Sequence, residues 1–237
     1  MAAEAHSTAT LRLTVGDLRV VHPITVPSAP VPATEVVPAL QGLVNAVVAA
    51  AEAGKAISCR KGCGACCRQL VPVSRTEGER LLALVETMDA ERRERLHARF
   101  AAAEAILDDA GLSDRAGRSD RELSLAYFAL AIPCPFLEEE SCSIHPDRPL
   151  VCREYLVTSP AELCAGPSQE GVTPVPVPKV SMAARGLQND GEDWFPLALL
   201  TKWAETRPRS DMRKTGPEWV QRFLRAIGAQ KGVRQRL

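Results

Sequence analysis

The sequence has no surplus of charge of either sign, because 29 Lys and Arg residues balance 29 Asp and Glu residues. Nucleic-acid-binding proteins usually carry a basic surplus, so we do not expect a nucleic-acid partner. The opening residues, MAAEAHSTAT, lack the basic and apolar stretches of a secretion signal. No apolar run approaches the length needed to cross a bilayer, so a membrane is not expected as a partner. These absences favour a cytoplasmic protein.

Several common functional motifs are missing as well. The sequence contains no GxGxxG, Walker loop, GxSxG or HExxH pattern. The usual sequence signals of nucleotide binding and hydrolysis are therefore absent. With 46% hydrophobic and 24% charged residues, the 237-residue chain has a globular composition and is long enough for one sizeable domain.

Cysteine is the residue type with an unusual arrangement. Four of the eight cysteines lie in CRKGCGACC, which spans residues 59–67. The other four follow along an irregular, Pro-rich stretch from Pro133 to about Pro178. The eight are Cys59, Cys63, Cys66, Cys67, Cys134, Cys142, Cys152 and Cys164. Disulfide frameworks and idle buried thiols are the two alternatives, but disulfides are typical of small secreted domains, and clustered thiols in a reducing compartment are more often metal ligands or catalytic groups.

The apolar pattern predicts a mainly α fold with a short N-terminal β-hairpin. Alternation over residues 10–27, around Gly16-Asp17, predicts the hairpin. We assign residues 1–32 to the hairpin and its linker, and residues 33–237 to one mainly helical domain. Thr34 is predicted to cap the first helix, and either Ser74 with Glu77 or Thr76 with Glu79 is predicted to form a capping box for the second. Asp89 is predicted to cap a third helix with an apolar stripe of Leu96, Phe100, Ala103 and Leu107. Residues 121–131 fit a helix or a strand, and we favour a helix; further helices are predicted to begin near Pro178, Asp193 and Thr215. The tryptophans Trp194, Trp203 and Trp219 fall in these predicted helices.

The two cysteine-bearing segments are predicted to be irregular loops that converge on one metal site, with a helical hairpin between them. Thiolates favour zinc, iron and iron–sulfur clusters over harder cations, and the metal would hold a long irregular segment in place. Four nearby cations are expected to lower the thiol pKa values and offset the negative charge: Arg60, Lys61, Arg68 and Arg153. Gly62 and Gly64 would let the backbone wrap tightly. The side chains of Cys66 and Cys67, as chain neighbours, are expected to diverge.

We rank Cys63, Cys66, Cys134 and Cys152 first as ligands, then Cys59, Cys142 and Cys67, with Cys164 last. The spacing CxxxCxxC also occurs in radical S-adenosylmethionine enzymes, where it holds a [4Fe–4S] cluster. Those enzymes place it after a strand in a partial βα barrel. Here it follows a predicted helix and no βα alternation comes after it, so that class is not favoured.

The cysteine motifs together resemble a known family. CxxxCxxCC, followed by CPFLEEESCSIHPDRPLVCREY from Cys134 to Tyr155, is similar to the zinc- or iron-chelating cysteine-cluster proteins of the YkgJ type. The same module is found in flagellin lysine N-methylases, and the likeness covers about residues 55–165. The resemblance implies as ligands Cys59, Cys63, Cys66, Cys67, Cys134, Cys142 and Cys152. It implies as supporting positions Arg148, Pro149, Arg153 and Tyr155. His145, where the family often has an aromatic residue, is either a further ligand or an exposed, hydrogen-bonding side chain.

Three functions are compatible with these features. The first is a cytoplasmic protein that binds zinc, iron or a [4Fe–4S] cluster as a structural, handling or sensing site, without turnover. The second is an interaction module in which the metal shapes a surface for a protein partner. The third is an iron–sulfur enzyme acting with S-adenosylmethionine, by analogy with flagellin lysine N-methylase. We favour them in this order, with a metal ion as the expected partner.

Overall fold

The structure, a computed structural model, describes residues 5–114, 117–166, 170–188, 194–207, 210–229 and 233–235. Its fold is mainly α with a β-hairpin before the first helix, as predicted. The α-helices are α1 (Val37–Glu52), α2 (Arg75–Glu86), α3 (Ala90–Asp109), α4 (Asp120–Ala129), α5 (Leu150–Arg153), α6 (Leu200–Thr206) and α7 (Gly216–Ala229). Short 3₁₀ helices lie between or beside several of them.

The strands form small antiparallel sheets. They are β1 (His6–Val15), β2 (Leu18–Pro27), β3 (Pro30–Val31), β4 (Pro72–Ser74), β5 (Leu137–Glu138), β6 (Ser141–Cys142), β7 (Trp194–Pro196), β8 (Lys214–Thr215) and β9 (Val233–Gln235). One sheet has the order β2-β1-β9, and the pairs β3-β8, β4-β7 and β5-β6 form the others.

The N-terminal hairpin turns at the predicted position. Val15 pairs with Leu18, and Gly16 between them has a φ of +59°, a conformation that favours glycine. Alternate side chains of both strands, such as Val15 and Ile24, are buried against α1 and α7. The hairpin therefore contributes one face of a hydrophobic core. The assignment of residues 1–32 and 33–237 to separate units stays a prediction.

Helix α1 is the most apolar helix of the fold. With the preceding 3₁₀ turn, the stretch Ala33–Glu52 is long and apolar enough to cross a membrane by length and composition, which corrects the expectation that no such stretch exists. Leu40, Leu43 and Val44 are completely buried in the protein core, so packing accounts for the apolar composition. No side chain caps α1, and the predicted cap at Thr34 is wrong, because the 3₁₀ turn takes the place of a cap.

Helices α2, α3 and α4 connect the two cysteine segments, as expected. Ser74 and Glu77 form a complete capping box at the start of α2, and the Asp89 side chain caps α3. Of the two boxes that the sequence offered for α2, the one at Thr76 is not formed. The predicted apolar stripe of α3 is buried and consists of Leu96, Phe100, Ala103 and Leu107.

The C-terminal third departs from the predicted helices. A 3₁₀ helix, Val180–Gly186, stands where an α-helix was expected near Pro178. Asp193 lies outside the described residues, and Trp194 belongs to strand β7 rather than to a helix, because it pairs with Ser74 of β4. The following α-helix begins only at Leu200. Helix α7 is confirmed, and its Trp219, Phe223 and Ile227 are buried.

Candidate metal centre

Two consecutive tight turns follow Cys59 and position the other three thiols of the first segment. Gly62 has a φ of +85°, in the region that favours glycine, and allows the chain to turn immediately before Cys63. The 3₁₀ turn Ala65–Arg68 follows and contains both Cys66 and Cys67. The first segment is therefore tightly wound, as Gly62 and Gly64 predicted.

The side chains of Cys66 and Cys67 do not diverge, which corrects the expectation. The Cys66 thiol hydrogen-bonds to the sulfur of Cys67, and this contact together with burial raises the pKa of Cys66 far above its usual value. The physical reason is the 3₁₀ turn, in which successive side chains are about 120° apart rather than the 180° of a strand. Both sulfurs can therefore face the same side of the segment.

The second segment carries its thiols on short, separate elements. Cys134 precedes β5, Cys142 ends β6, Cys152 lies in α5, and Cys164 lies in the 3₁₀ turn Ala161–Ala165. Strands β5 and β6 are joined by Glu139 and Glu140, whose φ values are +47° and +56°. Non-glycine residues rarely adopt this conformation, so the turn depends on contacts with its surroundings.

Backbone hydrogen bonds bring the two segments into direct contact. The amide of Cys134 donates to the carbonyl of Cys67 at 2.7 Å, next to the Cys66 thiol. The amide of Ser58 donates to the carbonyl of Val157 at 2.9 Å, which places the beginning of the first segment beside the chain that follows α5. The predicted meeting of the two segments is therefore present in the fold.

Gly64 and Arg68 hold the β5–β6 turn against the first segment. A Cβ atom on Gly64 would lie 2.6 Å from Oε2 of Glu140, 2.7 Å from Cδ1 of Leu137 and 3.2 Å from the Cα atom of Glu140, so a larger residue would displace both side chains and press against the backbone of the turn. Arg68 donates to both carboxylate oxygens of Glu140, at 3.0 and 2.7 Å, and to the Gly64 carbonyl. Arg68 thus joins the segments through a carboxylate, and its charge also interacts with Cys67, in line with the predicted proximity to the thiols.

All eight cysteines are free, and none forms a disulfide; Cys164 is buried and the others are half-buried. Burial raises the pKa of the Cys134 thiol to about 12, and the neighbouring Cys142 and Cys66 contribute. Burial also raises the pKa of Cys152, with contributions from Cys134, Cys66 and Cys142. Thiols from both segments therefore lie close enough to oppose one another's ionisation, which is the electrostatic situation that a shared cation relieves.

Cys164, ranked last from the sequence, lies beside the first segment. Burial raises the pKa of its thiol, and Cys66, Cys59 and Cys63 add to the effect. Its carbonyl accepts a hydrogen bond from Gln69 at 3.4 Å. The thiol of Cys66 thus has neighbours in both segments.

Of the four cations predicted to act on the thiols, Arg60 and Lys61 are exposed, and the guanidinium of Arg60 lies 3.9 Å from the carboxylate of Glu162 at the surface. Arg153 is buried, and its charge opposes the increase that burial causes in the pKa of Cys142, as predicted. Its guanidinium also donates to the carbonyl of Arg148 and to the side chain of Asn45, so Arg153 supports the chain around α5 as well.

Arg148 is a cation beside the thiols that the charge pattern alone did not single out. Burial raises the pKa values of Cys59 and Cys142, and Arg148 partly offsets the shift in both. The guanidinium also contacts Nε2 of His145, which must accept this hydrogen bond because arginine can only donate. His145 is exposed and hydrogen-bonded in this structure, in line with the second alternative for that residue.

The donor set fits zinc or iron, although it is not arranged as a finished coordination shell. Within the described ranges, no three His, Cys, Asp or Glu side chains are grouped as the ligands of one ion would be. Rotation about χ1 moves a cysteine sulfur without moving the backbone, so this arrangement of thiols is not fixed. The candidate ligands stay those predicted, namely Cys59, Cys63, Cys66, Cys67, Cys134, Cys142, Cys152 and Cys164.

Sequence reasoning missed several polar residues that support α5. Gln41 of α1 donates to the carbonyls of Asp147 and Arg148, both at 3.3 Å. The buried carboxylate of Glu77 in α2 accepts the amide N–H of Leu150 at 2.8 Å. The one available signal was the capping box of Glu77, which predicted a contact with Ser74 and gave no indication of the second contact.

Comparison with known proteins gives one match. Residues 58–168 match the model of a family described as "CxxCxxCC: Putative zinc- or iron-chelating domain". No curated protein and no solved structure matches the chain. The matched range contains all eight cysteines and both segments that meet in the fold. The matched family is the zinc- or iron-chelating cysteine-cluster family that the sequence motifs indicated.

Proposed function

We propose that this is a cytoplasmic metal-binding protein that holds zinc, iron or a [4Fe–4S] cluster through thiolates contributed by both cysteine segments. The observation that carries the proposal is the 2.7 Å hydrogen bond from the amide of Cys134 to the carbonyl of Cys67. Residues far apart in the chain are adjacent there, and each is followed or preceded by further free thiols. The family match supports metal chelation in general.

The chemistry of the site follows from its charges. Cysteine thiols bind zinc and iron as thiolates, after they have lost their protons. The metal must therefore compete with protons, whose binding is favoured by burial and by the repulsion between neighbouring thiolates. Arg148 lies close enough to Cys59 and Cys142 to favour their ionised forms. A thiolate from each segment on a common ion would tie the two segments together, offsetting the conformational entropy of the irregular chain between Pro133 and Pro178. This role requires neither an open coordination position nor a substrate.

The test is purification without oxygen, followed by elemental analysis and an absorption spectrum. We expect zinc or iron bound to the folded protein; zinc would leave the protein colourless, whereas an iron–sulfur cluster would absorb in the visible range. The protein is also reconstituted separately with zinc and with ferrous iron under reducing conditions. The proposal is wrong if the purified protein is metal-free and neither reconstitution leaves metal bound after desalting.

A further inference from the structure

The buried carboxylate of Glu77 joins helix α2 to helix α5. Glu77 is only 6% exposed. Its Oε2 accepts hydrogen bonds from the Ser74 amide at 3.1 Å and the Ser74 hydroxyl at 2.7 Å. Its Oε1 accepts the amide N–H of Leu150 at 2.8 Å. Leu150 is the first residue of α5, the helix that carries Cys152.

We propose that Glu77 is a positioning residue for the metal centre, which holds the first turn of α5 so that Cys152 faces the thiols of the first segment. The inference rests on the proposed function, since it assigns a role toward the same thiol cluster. Glu77 is not expected to touch the metal. It would act through Leu150 and the single turn between Leu150 and Cys152.

Capping alone does not explain why this carboxylate is buried. Helix α4 begins with the same capping box, in which Oε2 of Glu122 accepts the Ser119 amide at 2.8 Å and its hydroxyl at 2.7 Å. Glu122 is exposed. A capping box therefore forms in this protein without any cost of burial, and the burial of Glu77 requires a compensating contact elsewhere. In addition to its capping contacts, Glu77 accepts the hydrogen bond from the Leu150 amide, and the charge of Arg185 also favours its ionised form.

Helix α5, which Glu77 contacts, is too short to be stable without tertiary contacts. Helix α5 is a single turn, Leu150–Arg153, and a helix of this length is not stable by its own hydrogen bonds. Its first amide would also lack an intrahelical partner, and the Glu77 carboxylate supplies one. The chain before α5 is anchored separately, by Gln41 and by Arg153. Glu77 thus fixes the first residue of α5, which lies two residues before Cys152 in the sequence.

The experiment titrates the full-length, metal-free protein with Co²⁺ and records the absorption of the cobalt–thiolate bonds, whose intensity depends on how many thiolates bind. The test variant is Glu77→Ala. The matched controls are Glu122→Ala, which removes the equivalent capping box of α4, and Ser74→Ala, which breaks the box of α2 but leaves the carboxylate on Leu150. Glu77→Gln keeps an oxygen acceptor for the Leu150 amide.

We expect Glu77→Ala to bind Co²⁺ at least tenfold more weakly, with a lower thiolate absorption at saturation. Both controls should give the spectrum of the unchanged protein, and Glu77→Gln should restore most of it. If Glu77→Ala does not fold, Glu77→Asp, which is one methylene shorter and cannot reach both partners, is measured with the same expectation. If Glu77→Ala, or Glu77→Asp in its place, binds Co²⁺ with the affinity and spectrum of the unchanged protein, the inference is overturned and the proposed function stays intact. Failure of the unchanged protein to bind Co²⁺, zinc or iron would overturn the proposed function itself.

Discussion

Gly64 lies against Glu140 so closely that a side chain on the glycine would come within 2.6 Å of the glutamate Oε2 and 3.2 Å of its Cα. The contact lies between the first cysteine segment and the turn before Cys142. The absence of a Cβ atom at this one position is therefore part of what allows the two segments to meet.

Replacing Gly64 by alanine should separate the two segments. We expect Gly64→Ala to lower the free energy of unfolding by about 1–3 kcal/mol, the usual cost of overpacking, and to weaken metal binding. Urea denaturation and a metal titration would measure both effects. Gly186→Ala is the matched control, because a Cβ atom there meets nothing within 4 Å. Equal behaviour of the two variants would contradict the role assigned to Gly64.

Single cysteine substitutions test whether the segments share one site. Cys63→Ser and Cys152→Ser should each release metal and lower the melting temperature, because each removes a thiolate from a different segment. Elemental analysis and thermal denaturation measure the two effects. Cys164→Ser should do less than either. Loss of metal in only one of the first two variants would show that the segments do not share a site.

Removal of the metal should destabilise the fold by mass action. A free metal concentration a hundred times the dissociation constant stabilises a protein by about 2.7 kcal/mol. For a chain of this size, a change of that amount corresponds to a shift of about 5–10 °C in melting temperature. We expect a thiol-compatible chelator to produce a decrease of this order, measured by circular dichroism. The Cys63→Ser variant should not respond, and a response equal to that of the unchanged protein would argue against the cysteine site.

The stability of the metal-free protein should depend on the ionisation of Glu154. Burial raises the pKa of this carboxyl from 4.5 to about 7, although Ser181 donates two hydrogen bonds to it. Between about pH 4.5 and pH 7 the Glu154 carboxyl is protonated in the folded protein and ionised in the unfolded chain. The contribution of Glu154 to the free energy of unfolding is therefore complete below about pH 4.5, and it declines by about 3 kcal/mol as the pH rises to about 7.

The measurement is the free energy of unfolding in urea at a series of pH values. Glu154→Gln cannot ionise, so its stability should fall less over this range than that of the unchanged protein. Parallel curves for the two proteins would show that Glu154 does not cause the decline.

Periodicity predicted the elements that depend on local sequence. The hairpin around Gly16, the cap at Asp89 and the buried stripe of α7 follow from residues close together in the chain. The irregular, Pro-rich second segment also predicts that both cysteine segments converge, because such a segment needs something to hold it in place. These features depend on backbone sterics, capping and helical periodicity, which can be inferred from residues close together in the sequence.

Features that depend on tertiary contacts were not predictable in this way. The strand pairing of Trp194 with Ser74 joins residues about half the chain apart, so the local pattern predicts a helix there instead. The ion pair of Arg68 with Glu140 also joins residues remote in sequence and has no local signal. The second contact of Glu77, with Leu150, has no sequence signature at all. In each of these contacts, tertiary packing brings together two residues that are remote in sequence.

The hydrogen bond between Cys67 and Cys134 also bears on the order of folding. Helices α2, α3 and α4 lie between these residues in the sequence, so the two halves of the thiol cluster are joined by a non-local contact. Such non-local contacts form slowly compared with helices. We therefore expect capture of an ion by both segments to come late in folding, so that a loaded centre marks a chain whose helical frame is already complete.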